Sequence, residues 1–476
     1  MFTPLISIDP RPWPRAALAE RRPSAPSLGA RARSRFRPWR PAVVLAALAP
    51  LVIVLATRAD GLDSPSLLGA YGLLTLSTTT LVMYIAFAHY RDPSVGELDA
   101  RERPLATFLV AVKDERDVVD RCIESMLAST YPNLQVIVID DGSTDGTGER
   151  LAEIAAKHPE VRLIVNPESI GKKRALTRGA AEARGDYLIF TDSDCVLAPD
   201  AVERVMRAFL RNPDIGAVSG HARALNADQS FITKMQDTWY EGQFSIWKAA
   251  ESVYGTVSCV SGPLAAFRRE AIYNYFPAWS NDSFLGQEFR FATDRQLTGY
   301  VLGQPYVGGR LKRQYADSPF VTGEDHPVRP WRLEYVKSAR VWTVVPSTLP
   351  RLLKQQVRWK KSFIRNLFFT GSFYWRKGLV PAYLYYSHLL FVVAMPLLAT
   401  THLVYLPLRG YFGLAALYLA GVFLKGSAWG LAYKAQNPGD PRWVYRPFMS
   451  VMTAILFSTL LIYSALTLRR SVWVRG

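Results

Sequence analysis

The chain has 476 residues, of which 49% are hydrophobic and only 20% are charged, with a formal net charge of +17. This balance excludes an ordinary soluble multidomain protein and indicates a membrane protein with one soluble domain. Nine Arg against Asp9 and Glu20 fall within 1–40. Much of the positive charge therefore flanks a predicted membrane span, and it does not indicate nucleic-acid binding.

The first part of the chain predicts a tail and two membrane helices. Residues 1–40 are rich in Arg, Pro, Ala and Ser without periodicity, which is typical of a disordered basic tail. Within 41–90, an apolar stretch over 42–56 with one internal Pro50 predicts a short transmembrane helix, and a second stretch over 67–88 is long enough to return. The positive-inside bias puts the tail in the cytosol.

Between 105 and 350, strand-like apolar runs alternate with helical stretches such as 150–157. The runs are 108–112, 136–139, 161–165 and 187–190. This alternation predicts an α/β domain with a mostly parallel, doubly wound sheet and helices on both faces.

Three widely spaced cysteines, Cys122, Cys195 and Cys259, form neither a disulfide framework nor a zinc site by their spacing, and we interpret them as small buried hydrophobic residues.

Beyond the domain, residues 351–377 predict an amphipathic helix, with an apolar stripe and a cationic face, that lies in the cytoplasmic membrane interface. Three apolar stretches within 378–470 predict transmembrane helices, at about 381–407, 411–433 and 447–468.

Two predicted spans before the domain and three after it give a multi-pass protein of the cell membrane with a cytoplasmic domain and an outside C-terminus. Arg469, Arg470 and Arg475 argue against that side for the C-terminus. A re-entrant segment in place of one span would change the parity, so the sequence leaves the helix count and the side of the C-terminus open.

Acidic residues follow the strand-like runs, where ligands collect in doubly wound sheets. Asp114 follows the first run, Asp140 and Asp141 the second, and Asp192 and Asp194 the fourth. A turn or helix cap explains any one of them, but not three such motifs at strand ends. Carboxylates converging on one edge repel one another without a cation, so the pattern predicts a hard divalent metal with oxygen ligands.

Five motifs follow one another in a recognisable order along 105–370. They are Asp114, Asp140-Asp141-Gly142-Ser143, Asp192-x-Asp194, Asp294-Arg295-x-Leu297-Thr298 and Gln355-x-x-Arg358-Trp359. This order resembles the processive, membrane-embedded family 2 glycosyltransferases, which have a GT-A domain and include hyaluronan, chitin and cellulose synthases. The stretches 259–268 and 284–295 are most similar to hyaluronan synthases, and rhizobial chitin-oligosaccharide synthases come next.

The resemblance implies a UDP-sugar donor, a growing polysaccharide acceptor and Mg²⁺ or Mn²⁺. Asp194, with Asp192, is expected to hold the cation, which neutralises the charge on the departing UDP. Asp114 and Asp141 correspond to the family's uracil and ribose contacts.

Basic and small residues complete the expected donor side. Lys172 and Lys173 can reach the diphosphate, and the alternative is an ordinary solvated helix start. Ser261, Gly262 and Pro263 belong to the hyaluronan-synthase-like stretch and are expected to bind substrate.

Sugar transfer needs a base that takes the acceptor hydroxyl proton during an in-line attack. Asp294 is the candidate, and Arg295 beside it fits either a substrate contact or a structural ion pair. The residues before the family's base are usually Gly-Asp, Gly-Glu or Thr-Glu, and 292–293 depart from this because they are Ala-Thr. Glu324 and Asp325 resemble the motif superficially but lack the Arg-x-Leu-Thr that follows it.

Gln355, Arg358 and Trp359 share one face of the predicted amphipathic helix. Trp359 can stack on the acceptor sugar, with Arg358 near the diphosphate and Gln355 helping to hold the site. Membrane anchoring by the Trp and Arg is the alternative. Aromatic residues within 239–247 fit an acceptor channel or, more simply, helix packing.

The sequence thus predicts an inverting, processive, hyaluronan-synthase-like enzyme that polymerises UDP-sugars into a β-linked polysaccharide and exports it. The alternatives are a chitin-oligosaccharide-type N-acetylglucosaminyltransferase, a transferase that adds a single sugar to a lipid carrier, and an inactive membrane scaffold. The expected partners are the donor, the growing chain and the lipid bilayer, without nucleic acid. Sugar identity does not follow, because a few pocket side chains decide it.

Overall fold

The structure is a computed structural model that describes residues 65–96 and 102–470. The predicted basic tail over 1–40 and the first predicted membrane helix over 42–56 lie outside these residues. The described residues form an α/β domain that is joined to long apolar helices.

One eight-stranded sheet forms the centre of the domain, with the strand order β3-β2-β1-β4-β7-β6-β10-β5, and β8 pairs separately with β9. The strands are β1 (Ala106–Val112), β2 (Leu134–Asp141), β3 (Val161–Asn166), β4 (Tyr187–Phe190), β5 (Val196–Leu197), β6 (Ile215–Ala224), β7 (Ala265–Arg268), β8 (Ser283–Phe284), β9 (Gln287–Glu288) and β10 (Arg332–Thr343). Parallel pairing from β3 through β2 and β1 to β4 confirms the predicted sheet. Every residue of β1 and β4 is buried, which explains their continuous apolar runs.

The strand β7 runs antiparallel to both of its neighbours, β4 and β6. Its first residue, Ala265, therefore pairs with the last residue of β4, Phe190. As a result, the segment before β7 meets the segment after β4 at the edge where the carboxyl ends of the parallel strands lie. This reversal brings the predicted 261–263 stretch next to the Asp192-x-Asp194 motif.

Helices alternate with the strands along the chain, as the pattern of apolar runs predicts. The α-helices of the described residues are α1 (Pro65–Tyr84), α2 (Val119–Leu127), α3 (Thr147–Lys157), α4 (Lys172–Glu182), α5 (Ala201–Arg211), α6 (Phe231–Gly242), α7 (Ala249–Val253), α8 (Arg269–Ile272), α9 (Phe276–Ser280), α10 (Thr293–Gly303), α11 (Gly309–Gln314), α12 (Pro319–Thr322), α13 (Leu349–Phe369), α14 (Leu379–Thr400), α15 (Leu406–Leu408), α16 (Phe412–Gln436), α17 (Arg446–Met452) and α18 (Ser458–Leu466). In α5, for example, Val202, Val205, Met206 and Phe209 recur at helical spacing and are all buried.

Four helical segments of the described chain are long and apolar enough to cross a membrane: Gly69–His89, Leu379–Leu408, Phe412–Gln436 and Pro441–Leu466. They flank the α/β domain and overlap the four predicted apolar stretches that the structure describes. The chain is therefore a membrane protein. The end of the first segment is tied to the domain, because the Tyr90 hydroxyl donates to the carbonyl of Tyr335 at 2.9 Å.

The helix α13 is shorter than the amphipathic helix predicted over 351–377. It begins at Leu349 and ends at Phe369. Two 3₁₀ turns, Thr370–Ser372 and Tyr374–Lys377, follow it and lead into α14.

Candidate active site

A cavity of about 910 Å³ opens at the carboxyl ends of the sheet strands, between the sheet, α6, α13 and α14. Twelve of the residues predicted for the site line it: Asp114, Lys172, Asp192, Asp194, Ser261, Gly262, Pro263, Asp294, Arg295, Gln355, Arg358 and Trp359. Residues from distant parts of the sequence thus meet in one space. Their individual roles in catalysis stay predictions.

Asp192 and Asp194 lie in the turn after β4 and form a candidate metal site. Their carboxylate oxygens and the Cys195 sulfur all lie within 4.8 Å of one another. Burial raises the pKa of Cys195 strongly, so its thiol stays protonated and the two carboxylates remain as the hard ligands. Burial and the neighbouring Asp192 charge raise the pKa of Asp194. This pair fits a divalent cation, which would relieve the repulsion between the carboxylates.

Lys172 and Gly262 set the surroundings of the carboxylate pair. Lys172 begins α4 and forms an ion pair with Asp192. A side chain at Gly262 would approach Asp192 Oδ2 at 3.0 Å, so the absence of one keeps the carboxylate accessible. The next residue, Pro263, accepts a hydrogen bond through its carbonyl from the Thr191 hydroxyl at 2.7 Å. The stretch before β7 is therefore fixed against the turn after β4.

Asp294 is the second residue of α10, which puts its carboxylate at a helix N-terminus. Oδ1 accepts a hydrogen bond from the backbone N–H of Arg295 at 2.8 Å. Oδ2 accepts one from the thiol of Cys259 at 3.4 Å, because burial raises the pKa of that thiol to about 11 and keeps its proton in place. The carboxylate is thus held in place while it faces the cavity.

The alternative base motif lies away from the cavity. Glu324 forms an ion pair with Arg269 at 2.8 Å, and its other carboxylate oxygen lies 3.0 Å from Nε2 of His326. Asp325 pairs with Lys312. Both carboxylates are therefore engaged in contacts that stabilise the domain, and of the two candidate motifs only Asp294 reaches the cavity.

Aromatic side chains from α6 and α13 form one wall of the cavity. Trp359 stacks on Trp239, with the ring centroids 5.5 Å apart and the planes inclined by 24°. The ring centroid of Tyr240 lies 6.4 Å from that of Trp359, and Trp247 also lines the cavity. The simpler expectation that the aromatics within 239–247 only pack helices is incomplete, since they pack and line the cavity at once.

Two residues predicted to contact substrate, Lys173 and Asp141, are buried and hydrogen-bonded within the domain, and their contact with substrate stays a prediction. Lys173 is 6% exposed and donates to Asp282 at 3.1 Å, to the Phe289 carbonyl at 2.7 Å and to Gln296 at 2.8 Å. Burial lowers the pKa of Lys173 to about 8. Lys172 and Lys173 differ because successive residues of a helix point about 100° apart. Lys173 therefore supports the core of the domain.

Asp141 is 4% exposed, and both of its oxygens accept hydrogen bonds from protein groups. Oδ1 accepts from Asn166 at 3.0 Å and from the N–H of Ile170 at 2.9 Å. Oδ2 accepts from Ser169 at 2.8 Å and from the N–H of Gly171 at 3.0 Å. Asp141 thus holds the loop that leads to α4, whereas Asp114 lines the cavity directly.

Much of the basic face of α13 faces other parts of the protein, and its predicted place in the membrane interface stays a prediction. Arg351, Lys354 and Arg358 line the cavity. Arg365 forms an ion pair with Asp282 at 2.8 Å. Most of this face therefore serves the site or the domain interior.

Three further residues at the site were missed by sequence reasoning. Lys248 donates to Ser261 at 2.6 Å and to Ser219 at 3.2 Å, and burial lowers its pKa. Lys248 is the one charged residue in 242–250, and this lone charge in the sequence could have indicated a role at the site. Tyr385 and His388 of α14 also line the cavity, and no motif marks them.

Comparisons with known proteins agree with this architecture. Residues 107–276 match the family model described as glycosyl transferase family 2. An N-acetylglucosaminyltransferase of Rhizobium meliloti (strain 1021) is 30% identical over 311 residues, which cover 64% of this chain and 66% of that protein. A hyaluronan synthase of Streptococcus pyogenes is 24% identical over 416 residues, 86% of this chain and 90% of that protein.

A solved structure has a similar fold. It is a mannosyltransferase from Pyrobaculum calidifontis in complex with GDP-Man and Mn²⁺, with a TM-score of 0.55 and 19% identity. The match covers 90% of this chain and 99% of that chain.

Proposed function

We propose that this chain, which contains a family 2 glycosyltransferase domain of GT-A-like fold, is an inverting, processive glycosyltransferase that builds a β-linked polysaccharide from UDP-sugars and exports it. One observation carries the proposal: a single cavity joins the carboxylate pair, Asp294, an aromatic wall and the membrane helix α14. Donor, acceptor and exit path are thereby adjacent.

The donor side holds a nucleotide diphosphate by charge. Asp194 with Asp192 would hold Mg²⁺ or Mn²⁺, which supplies positive charge to the departing diphosphate when it is bound. The Mn²⁺ of the similar mannosyltransferase supports a divalent cation. Lys172 and Arg358 add cationic side chains to the same space, which Asp114 also lines. Charge complementarity then orients the leaving group before transfer.

Transfer requires one proton acceptor and an in-line geometry. Asp294 takes the proton of the acceptor hydroxyl as its oxygen attacks the anomeric carbon. The new bond from carbon to acceptor oxygen forms as the bond from carbon to phosphate oxygen breaks, and the electron pair leaves with UDP. The attack comes from the face opposite to the leaving group, so an α-linked donor gives a β-linked product.

The acceptor side suits a sliding chain. The stacked pair of Trp239 and Trp359 offers apolar ring surface to sugar faces. Trp247 lies 4.8 Å from the ring of His388, where the cavity reaches α14. The growing chain would pass this point into the membrane region, with the catalytic domain on the cytoplasmic side, where UDP-sugars are made.

The identity of the polymer can be tested directly. Purified protein is incubated with UDP-GlcNAc, UDP-glucuronate, or both, with Asp294→Asn as the inactive control, and the product is sized. Polymer that requires both donors supports hyaluronan synthesis, as in the streptococcal relative. Polymer from UDP-GlcNAc alone supports the chitin-like alternative, which the rhizobial relative favours. Single-sugar addition with every donor contradicts the proposal.

A further inference from the structure

We propose that Lys248 is a positioning residue that holds the segment 259–263 and, through this segment, fixes the base Asp294 relative to the carboxylate pair. Its effect on sugar transfer rests on the proposed function, whereas its hold on the segment does not. None of the five sequence motifs contains Lys248, and the transfer step described above does not use it.

The ammonium group of Lys248 donates only to neutral oxygen atoms. Lys248 ends the π-helical stretch Gln243–Lys248 and is 6% exposed. The ammonium donates to the hydroxyl of Ser261 at 2.6 Å, to the hydroxyl of Ser219 at 3.2 Å and to the carbonyl of Cys259. An ammonium has three protons, so these three acceptors use all of them. Lys248 therefore binds protein groups and has no proton left for a hydrogen bond to substrate.

The positive charge of Lys248 forms no ion pair with a described residue. Glu251, Asp294 and Arg295 are the charged groups that face it, and the ring of Phe244 lies 4.6 Å from the ammonium. A buried ammonium without an ion pair costs more to desolvate than an apolar side chain of similar length. Packing alone therefore does not account for a lysine here. Its specific contribution is the set of three hydrogen bonds.

One end of the segment holds the base. The thiol of Cys259 donates to Oδ2 of Asp294 at 3.4 Å. The N–H of Val260 donates to the hydroxyl of Thr298 at 2.8 Å, and that hydroxyl donates to the carbonyl of Asp294 at 2.8 Å. Both the carboxylate of Asp294 and the first turn of α10 are thus connected to the segment.

The other end of the segment touches the metal side. Gly262 lies against Asp192, because an added Cβ would come within 3.0 Å of Oδ2. The carbonyl of Pro263 accepts a hydrogen bond from the hydroxyl of Thr191, the residue before Asp192. Five consecutive residues therefore connect the base to the carboxylate pair.

The middle of the segment is anchored to the central sheet. Ser219 belongs to β6, and its hydroxyl also accepts a hydrogen bond from the N–H of Ser261 at 3.4 Å. Lys248 joins the hydroxyls of these two serines. Because small displacements of reacting groups slow a reaction strongly, a loosened middle should slow transfer. Asp114 follows β1, a separate strand, so donor binding should depend on the segment much less.

Kinetics of Lys248→Met test the effect on transfer, with Lys337→Met as the matched control. Lys337 is also a partly buried lysine with a neutral partner, Gln436, and it belongs to β10. UDP release from UDP-GlcNAc and UDP-glucuronate together is measured per folded enzyme. We expect Lys248→Met to lower kcat by about 10- to 100-fold while the KM for the donor changes less than about twofold. Lys337→Met should leave kcat nearly unchanged.

The conservative variant separates positioning from filling of space. Lys248→Arg keeps the charge and the N–H donors, so it should restore most of kcat. Two results would overturn the proposal. One is a lower unfolding temperature of Lys248→Met with unchanged kcat of the folded enzyme, and the other is a raised KM for the donor with unchanged kcat.

A double-mutant cycle tests whether Lys248 acts through its partners. Ser219→Ala removes one acceptor and should lower kcat about threefold, and its combination with Lys248→Met should lose little beyond Lys248→Met alone, because both belong to one network. Losses that multiply would contradict a shared path.

Hydrogen exchange of the full-length protein tests the hold on the segment without activity. The N–H groups of Val260 and Ser261 are hydrogen-bonded and should exchange about tenfold faster in Lys248→Met, while peptides from β1 exchange as before. Unchanged exchange over 259–263 would overturn the proposal. Should Lys248→Met fail to fold, Lys248→Gln, which keeps one amide donor, replaces it with the same expectations at a smaller amplitude. Should the unsubstituted protein transfer no sugar from any donor, the proposed function fails, while exchange still decides whether Lys248 holds the segment.

Discussion

Two regions of one cavity are suited to binding by different physical interactions. The carboxylate edge comprises Asp114, Asp192 and Asp194, in the segments that follow strands. The aromatic wall comprises Trp239, Tyr240, Trp247 and Trp359, on helices. Ionic contacts are strong and directional, so the edge suits a donor that is bound in one pose in every cycle. Ring stacking tolerates sliding, so the wall suits a chain that advances by one sugar per cycle.

The largest effect is expected from loss of the carboxylate edge. Asp194→Asn, or excess EDTA on the unsubstituted protein, should reduce transfer to the uncatalysed background, because the leaving diphosphate loses its charge partner. Radiolabelled sugar incorporation measures this. Asp200→Asn, which changes a partly exposed carboxylate that pairs with Arg204, is the control and should keep full activity. Undiminished turnover in EDTA would contradict a metal-assisted donor side.

The next effect separates chemistry from binding. Asp294→Asn keeps the shape of the side chain but removes the proton acceptor, so kcat should fall by about 10²–10⁴-fold while UDP-sugar still binds. Turnover and donor binding are measured on the same preparation. Asp325→Asn is the matched control, because Asp325 pairs with Lys312 outside the cavity. If Asp325→Asn loses activity while Asp294→Asn stays active, the general base belongs to the 324–325 motif and not to Asp294.

A smaller effect isolates the aromatic wall. Trp359→Ala should release the chain about tenfold more often, because losing about 1.4 kcal/mol of stacking changes an equilibrium by this factor. Gel filtration should show shorter product with the KM for the donor nearly unchanged. Trp359→Phe keeps a ring and should give intermediate lengths. Full-length polymer from Trp359→Ala would show that the aromatic wall is not needed to retain the growing chain.

The smallest effect is expected from substitutions of two adjacent lysines. Lys172→Met should raise the KM for the donor about fivefold, since a partly exposed charge contact contributes about 1 kcal/mol. Lys173→Met should leave the KM of the folded fraction unchanged and lower the temperature of unfolding, because it leaves Asp282 and Arg365 in a buried cluster without its third member. The reverse pattern would show that these two residues are assigned to the wrong roles.

The sequence predicted the carboxylate edge well because a polar residue directly after an apolar strand has one probable location, the end of the sheet. The aromatic wall was harder, because Trp239 and Tyr240 at helical spacing also satisfy a packing pattern. The position of a side chain around a helix separated Lys172 from Lys173, and no motif contains that information. For Asp141, the hydrogen bonds that occupy both of its oxygens are made by a loop that lies 25–30 residues further along the chain.

The membrane part shows the same limit at larger scale. Phe412–Gln436 and Pro441–Leu466 have similar lengths and apolar character. Length and hydropathy therefore predict the same path for both. Only the structure shows that Lys361 of α13 donates to the carbonyl of Thr467, just beyond the second segment.

Processive synthesis requires that one cavity extends a chain without releasing it. A pulse of labelled UDP-sugar is followed by a large excess of unlabelled UDP-sugar at several enzyme dilutions, and the labelled product is sized over time. We expect long labelled chains already at low conversion, with lengths that do not change on dilution. Short labelled products that lengthen only as the bulk pool is consumed would contradict it.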